Sequence, residues 1–449
     1  MTHSPRLKLF LMMVLELFIW GAWLPLIFGY LPSLGFSAGQ QSWILNAFAI
    51  GAIVAMFFSN QFADRRFAAE KFMAVSHLIG GVAILALGFI RPPDAAHPQA
   101  PFMPFFLLML VHCLFYVPTL SIANGIAFAH LKDARKDYGI VRMGGTVGWI
   151  LAAWPFVFIM VDWAKVPAVH DVGLVKWLGA AFGTSKTGAE FQDGVRWTYI
   201  VAGIASLALA AFSLTLPHTP PKPQQGEKFA WLEAMKLLAK PFVLLLFIIT
   251  FLDAFVHNLY FAWTGTFLAE RVGIPGNWVM PVMSIGQIAE ILTMAVLSVV
   301  LVRLGWRWTM IIGILGHAVR FAIYAFMPDH AAIIIAVQIL HGICYAFFFA
   351  TLYIFVDEHF PKDIRNSAQG LFNMLVFGFG PLASFYVGPL LKTMHKVTTT
   401  VGGQPFDAVD YQKLFLYPCA TALFAAILLA IAFHPPKEIS PEAAAAAAH

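Results

Sequence analysis

Five charged side chains fall inside apolar stretches long enough to cross a bilayer: Glu16, Arg142, Asp253, Glu290 and Arg320. A charge at the centre of a membrane costs about 2.5–3.5 kcal/mol on insertion scales, so such a residue lines a cavity or has a partner. Two cations and three acids nearly compensate one another. Glu16, Trp20 and Trp23 follow at i, i+4 and i+7 and share one helix face. An acid beside two indoles suits an amphipathic, ring-bearing ligand. It suits equally a buried acid paired with an arginine, with tryptophans at the membrane interface. Arg142, Thr146 and Trp149 repeat the spacing, and here the choice lies between a ligand site and an arginine that snorkels to the interface. Gly144, Gly145 and Gly148 fill the other face, and Gly144 with Gly148 gives the small-xxx-small pattern of close helix packing.

Gln287 and Glu290 lie one turn apart, with Ser284 a turn earlier. Glutamine donates and accepts, and glutamate can accept from a sugar hydroxyl or a base edge. Asn258 with Phe261, and His341 with Tyr345, are similarly spaced pairs. Asp253, His257, Tyr260 and Thr264 form a further stripe. An acid and a histidine at i, i+4 could pass a proton, since histidine titrates near neutral pH; a core hydrogen bond is the simpler account of His257 alone. Arg320 reads as the counter-charge of a structural acid. His77, His112 and His317 have no metal-ligand spacing and read as packing or hydrogen-bonded residues. Cys113, Cys344 and Cys419 stand in apolar runs without a CxxC, so neither a disulfide nor zinc is expected.

The elements that must position these residues are transmembrane helices. Of 449 residues 60% are apolar and 11% charged, against roughly 25% charged in a soluble domain. Soluble, disordered, collagenous and nucleic-acid-binding classes are excluded, and an all-α polytopic membrane protein remains. Windows of about 20 apolar residues fall at 8–30, 41–63, 71–90, 103–130, 142–161 and 197–217, then at 241–268, 278–302, 308–327, 331–356, 366–390 and 413–434. The first window is too long for a signal h-region and has no small-residue cleavage pattern after it. The Pro-rich polar stretch between the two sets divides the chain into a six-helix bundle over 1–217, a cytoplasmic linker over 218–240 and a second six-helix bundle over 241–436. A disordered tail is expected over 437–449. The hydropathy is two-fold, as in carriers built from two related halves. Lys and Arg concentrate in the loops that share a side with both termini, among them Arg65, Arg66, Arg135, Lys136, Lys228, Arg303 and Arg365. Both termini are therefore expected in the cytoplasm. The net charge of +5 is what such loops require.

Gly35-Phe36-Ser37-Ala38-Gly39 matches the hydrolase pattern GxSxG, but it lies in the short loop between the first two spans rather than on a strand-to-helix turn. It reads as a chance match. There is no Walker A sequence, HExxH or dinucleotide fingerprint, so no cofactor and no ATP-driven step on this chain is expected.

Twelve spans, the six-plus-six division and Asp64-Arg65-Arg66 after the second span resemble the major facilitator superfamily, although the glycines that usually flank that signature are missing. A narrower resemblance covers essentially the whole chain. Trp20-Gly21-Ala22-Trp23-Leu24, Tyr116-Val117-Pro118-Thr119-Leu120, Arg142-Met143-Gly144-Gly145-Thr146-Val147-Gly148, Thr215-Leu216-Pro217-His218, Gln287-Ile288-Ala289-Glu290 and Ile364-Arg365-Asn366-Ser367-Ala368-Gln369-Gly370 are similar to the bacterial nucleoside:proton symporter family. The resemblance implies a nucleoside bound between the two halves of an inner-membrane carrier. It places Arg142, Thr146, Gln287 and Glu290 at ligand-contacting positions with identity kept. Trp149 stands where the family has another aromatic, Asn258 where it has Gln, Phe261 where it has Asn, His341 where it has Tyr and Tyr345 where it has Phe.

Ala346 stands where the family has an Asp implicated in proton coupling, so a substitute carboxylate is needed: Glu290 first, in a combined role, then Asp253, with Glu16 as the third candidate. Trp23 and Trp149 are expected to stack on the base. The expected partners are a nucleoside, protons and the lipid bilayer, with the chain acting as a monomer and without nucleic acid. The rival readings are a facilitator-superfamily carrier for a sugar or drug, and a transporter-like receptor or membrane enzyme.

Overall fold

In lipid every backbone N–H and C=O must be satisfied internally, so apolar runs of this length fold as helices. The computed structural model describes residues 5–58, 67–131, 134–221, 235–359, 365–401 and 404–434. Ten helices among the described residues are long and apolar enough to cross a membrane. One of them, Val279–Phe326, runs for 48 residues and breaks at Gly305, whose φ of +71° favours a glycine. It serves as two spans, and Ala38–Phe58 completes the twelve.

In chain order these are α1 (Arg6–Ser33), α2 (Ala38–Phe58), α3 (Ala69–Leu87), α4 (Phe102–His130), α5 (Ala134–Ala153) and α6 (Gly188–Ser213). The second half holds α7 (Pro241–Glu270), α8 (279–304), α9 (306–326), α10 (Ala331–Val356), α11 (Ala368–Met394) and α12 (Tyr411–Ala432). In the first bundle α1 lies along α5 and α6, α2 along α4, and α3 along both α4 and α6. In the second, α10 and α12 pack on the α8–α9 rod, and α7 packs on α11 and α12. The halves meet where α1 touches α7, α2 touches α11 and α5 touches α8. Residues projecting inward from those six helices can therefore share one site.

The small-xxx-small pattern is the α1–α5 seam. A Cβ on Gly144 would stand 2.6 Å from the Phe10 carbonyl oxygen, and one on Gly148 would overlap that of Val14. Helices α10 and α11 each contain a π-helical stretch, Tyr345–Ala350 and Met374–Phe379. Such widened turns re-aim side chains and are frequent at functional sites.

Two connections differ from the sequence expectation. The segment expected as a loop over 162–196 folds into the short helices Val169–Val172 and Leu174–Gly183, and α6 begins already at Gly188. Gln192 fixes that early start by donating from Nε2 to the Ser33 carbonyl at 2.6 Å. Before α12, strands β1 (Lys396–Val401) and β2 (Gln404–Val409) pair antiparallel, with Lys396 opposite Val409 and Thr398 opposite Asp407. The GxSxG stretch is a helix start. The Gln40 amide donates to Ser37 Oγ at 3.3 Å and the Ser37 amide donates to Gln40 Oε1 at 2.9 Å, a reciprocal cap on α2. Asp64-Arg65-Arg66, the centre of the 218–240 linker and the 437–449 tail lie outside the described residues.

Candidate functional site at the interface of the two bundles

Aromatic rings from both halves meet at the interface. Trp20 on α1 stacks on Phe48 of α2 with centroids 4.6 Å apart. It stands edge-on to Trp149 of α5 at 5.5 Å and to Phe377 of α11 at 6.4 Å. Trp149 reaches across to Phe261 of α7 at 5.9 Å, and Phe261 meets the edge of His341 on α10 at 5.4 Å. The i, i+4, i+7 face of α1 thus divides. Trp20 joins this cluster, whereas Trp23 is 2% exposed and faces His112 inside the first bundle, ring to ring at 6.1 Å. Trp20 is a residue that the resemblance alone did not single out as a ligand contact. Its signal was present in the shared face, and only the neighbouring helices decide between the two indoles.

Polar groups border the rings. Arg142, about two turns into α5, faces the Glu290 carboxylate of α8 and the Tyr345 hydroxyl of α10. It points across the interface rather than toward the end of its helix, and Arg142 and Glu290 bring opposite charges from opposite bundles. Gln287, one turn from Glu290, is 6% exposed and its Oε1 has no hydrogen-bond partner. The Trp20 Nε1 and His257 Nδ1 atoms are likewise buried and unpartnered. A buried donor or acceptor left unbonded costs about 1–3 kcal/mol, which a ligand that bonds to it recovers. Thr146 is buried one turn from Arg142. Asn258 turns its amide back onto the Ala254 carbonyl at 2.8 Å. His341 stacks on Tyr260 at 4.5 Å and on His257 at 4.9 Å.

Crossing helices set the height of the site. A Cβ on Gly342 of α10 would collide with the Glu290 amide nitrogen, and one on Gly286 of α8 would lie 2.8 Å from His341 Cβ. The two glycines let α8 and α10 touch backbone to backbone, which places Glu290, Gln287, His341 and Tyr345 together.

The other acids lie elsewhere. Glu16 is 0% exposed inside the first bundle. Its Oε2 pairs with His77 Nε2 at 2.9 Å and its Oε1 accepts from Thr119 Oγ1 at 2.6 Å. Its backbone carbonyl accepts from the Tyr116 hydroxyl at 2.7 Å, and His77 bonds on to Ser206 at 3.1 Å. The partner of Glu16 is thus a histidine rather than an arginine. Asp253 is 0% exposed within the second bundle, beside His317 and Arg320.

Two six-helix bundles with a polar and aromatic site between them define a secondary transporter of the major facilitator fold. The chain matches a solved structure of the nucleoside transporter NupG with a TM-score of 0.73 at 23% identity, covering 96% of this chain and 99% of that one. It also matches a D-xylose–proton symporter with a TM-score of 0.67 at 15% identity, covering 96% and 98%. Within that class, the chain belongs to the nucleoside H+ symporter family, whose model matches residues 3–181 and 164–438. It is 31% identical over 410 residues to YegT of Escherichia coli K12, provisionally named a nucleoside transporter, covering 89% of this chain and 88% of YegT. It is 26% identical to the nucleoside permease NupG of Escherichia coli K12, covering 84% and 85%, and 25% identical to the xanthosine permease of the same strain, covering 99% of each. Membership of this family makes the chain a transporter and not an enzyme.

Proposed function

We propose that the chain imports nucleosides with protons, by alternating exposure of the site between its two bundles. The observation that carries this reading is the convergence of Trp20, Trp149 and Phe261 with Arg142, Gln287 and Glu290 from both halves. A nucleoside offers a flat aromatic base and a polyhydroxylated ring. Stacking on aromatic side chains contributes about 1–3 kcal/mol per base. Glu290 accepts from ribose hydroxyls or a base N–H, Gln287 Oε1 accepts from a base donor, and Arg142 donates. Because the site draws on both bundles, bound ligand ties them together, and rocking about it exposes it to each side in turn.

Membrane location follows the same reading: a multi-pass carrier of the bacterial inner membrane, working as a monomer in lipid, with both termini cytoplasmic as the Lys/Arg distribution requires. The test is counterflow in proteoliposomes with labelled uridine, adenosine, xanthosine and a hexose. Saturable exchange of a nucleoside, and none of the hexose, is expected. A carrier that exchanges the hexose and no nucleoside would sink the reading. Thermal stabilisation of the purified protein across the same panel identifies the preferred base, because ligand binding to the folded state raises apparent stability.

A further inference from the structure

The second bundle buries a cluster of charge that nucleoside binding does not use. Asp253 on α7 is 0% exposed, and neither carboxylate oxygen has a hydrogen-bond partner. His317 on α9 aims Nε2 at Asp253 Oδ1 from 3.8 Å, beyond hydrogen-bond distance, and that nitrogen is unpartnered too. Arg320, also 0% exposed, lies between two histidines. Its Nη2 donates to His317 Nδ1 at 2.9 Å and its Nη1 donates to His341 Nδ1 at 3.2 Å. Its guanidinium carbon stands 4.0 Å from the Tyr260 ring centre, while its Nε has no partner.

The tautomers follow from the donors. Arginine has only N–H groups to offer, so both Nδ1 atoms facing it are lone pairs and both rings carry hydrogen on Nε2. The His317 N–H therefore points at Asp253. The remaining titratable groups nearby are His257, one turn along α7, Cys344 on α10 and the Tyr324 hydroxyl on α9, which accepts from Gln338. Among the described residues, the other elements packed around Asp253 bring no charge to it. Helix α11 sets Gly380 against Ala254 and bonds Ser384 to the Phe255 carbonyl, α12 bonds Cys419 to the Ala318 carbonyl, and α1 meets α7 further along, at Gly265. Ionised Asp253 is then the one negative charge available to Arg320 within this cluster. The network is half-satisfied, with four polar atoms of Asp253, His317 and Arg320 unbonded. Buried polar groups normally find partners, so this cluster is built for a second arrangement.

We propose that Asp253, held next to His317, is where this carrier takes up its proton, and that Arg320 and His341 pass the change of charge to the nucleoside site. The step is one proton added to the Asp253 carboxylate, with no other bond made or broken. Protonation cancels the counter-charge of Arg320 and leaves a buried guanidinium uncompensated, which favours rearrangement. Arg320 is bonded to His341, and His341 packs against Phe261 in the aromatic cluster. Proton binding and nucleoside binding thereby act on one element, and such coupling is reciprocal. It also supplies a carboxylate in a chain that has Ala346 in the π-helical stretch of α10.

This inference rests on the reading of the chain as a nucleoside–proton symporter. Its test compares wild type, Asp253→Asn and Asp253→Glu in proteoliposomes, measuring nucleoside counterflow and accumulation driven by an imposed pH gradient. Asp253→Asn should retain counterflow, lose at least about tenfold in gradient-driven accumulation, and bind nucleoside with an affinity that no longer changes with pH. Asp253→Glu should restore part of the accumulation. Gradient-driven accumulation by Asp253→Asn with the wild-type pH profile overturns the proposal, as does wild-type accumulation that follows a sodium gradient instead. Should Asp253→Asn fail to fold, His317→Gln carries the test: it keeps an acceptor for Arg320 and removes the ring N–H from Asp253. Counterflow with a shifted pH profile supports the assignment, and an unshifted profile overturns it. Absence of nucleoside counterflow in the wild type would instead refute the symporter reading itself.

Discussion

Gly342 on α10 lies against the backbone nitrogen of Glu290 on α8, so closely that no side chain fits between them. The position of the Glu290 carboxylate is thus fixed by a residue with no polar side chain of its own. Replacing Gly342 with Val would push α8 and α10 apart, and a displacement of about 1 Å at a bound group costs on the order of 100-fold. Gly342→Val should therefore weaken nucleoside binding by roughly 10- to 100-fold, measured by thermal stabilisation against ligand concentration. Unchanged affinity in a folded variant would show that Glu290 is not a ligand.

The two indoles of α1 give a paired prediction. Trp20 meets Trp149 and Phe377 at the interface, while Trp23 faces His112 inside the first bundle. Loss of a base-stacking ring costs about 1–3 kcal/mol, or roughly 5- to 150-fold in affinity. Trp20→Ala should show that loss in nucleoside titrations. Trp23→Phe should leave affinity unchanged, and the reverse pattern would move the base to the other side of α1.

Glu16 should matter for stability first. Its carboxylate is bonded by His77 and Thr119, and its carbonyl by Tyr116. Glu16→Ala removes the acceptor of two buried groups, His77 Nε2 and the Thr119 hydroxyl, at about 1–3 kcal/mol for each group left unsatisfied, while the Tyr116 bond to the backbone carbonyl is kept. A lowered unfolding temperature, with an unchanged nucleoside affinity in the protein that remains folded, is the expected outcome. A large loss of affinity without loss of stability would return Glu16 to the ligand site.

Much of this was legible from residue types. Scarcity of charge made Arg142 and Glu290 conspicuous, and helical periodicity grouped Gln287 with Glu290 and Thr146 with Arg142. What periodicity cannot supply is the identity of the facing helix. Trp20 and Trp23 share a stripe, and only Phe48, Phe377 and His112 from other helices separate them. The partner of Glu16 lies 61 residues away, and Arg320 and His341 meet across the α9–α10 turn. The β-hairpin before α12 did leave a signal, since Val397-Thr398-Thr399-Thr400-Val401 is an unbroken run of β-branched residues ahead of Gly402-Gly403. Its threonines and glycines keep it out of any window of apolar helical length, so hydropathy alone does not reveal it.

A last prediction concerns how the bundles part. The connection between α5 and α6 and the connection between α7 and α8 belong to different halves, yet they touch. Asn277 Nδ2 donates to the Val157 and Phe182 carbonyls at 3.2 and 3.3 Å, and Trp278 Nε1 donates to Phe182 at 2.8 Å. Rocking of one bundle against the other must break these bonds. A Cβ on Gly276 would lie 3.7 Å from Ser185 Cβ, inside the range of about 3.5–4.5 Å that disulfides require. Cys113 and Cys344 are buried, which leaves Cys419 to be replaced by serine as a precaution. The double variant Ser185→Cys/Gly276→Cys should therefore cross-link under mild oxidation, stop counterflow while the bond is intact, and regain it when reductant is added. The cross-link forbids separation at that end without touching Arg142, Glu290 or the aromatic cluster, so nucleoside-dependent thermal stabilisation should survive in the oxidised protein. Full counterflow through the cross-linked species would mean that this end stays closed throughout the cycle and that rocking of the bundles is not how the site changes sides.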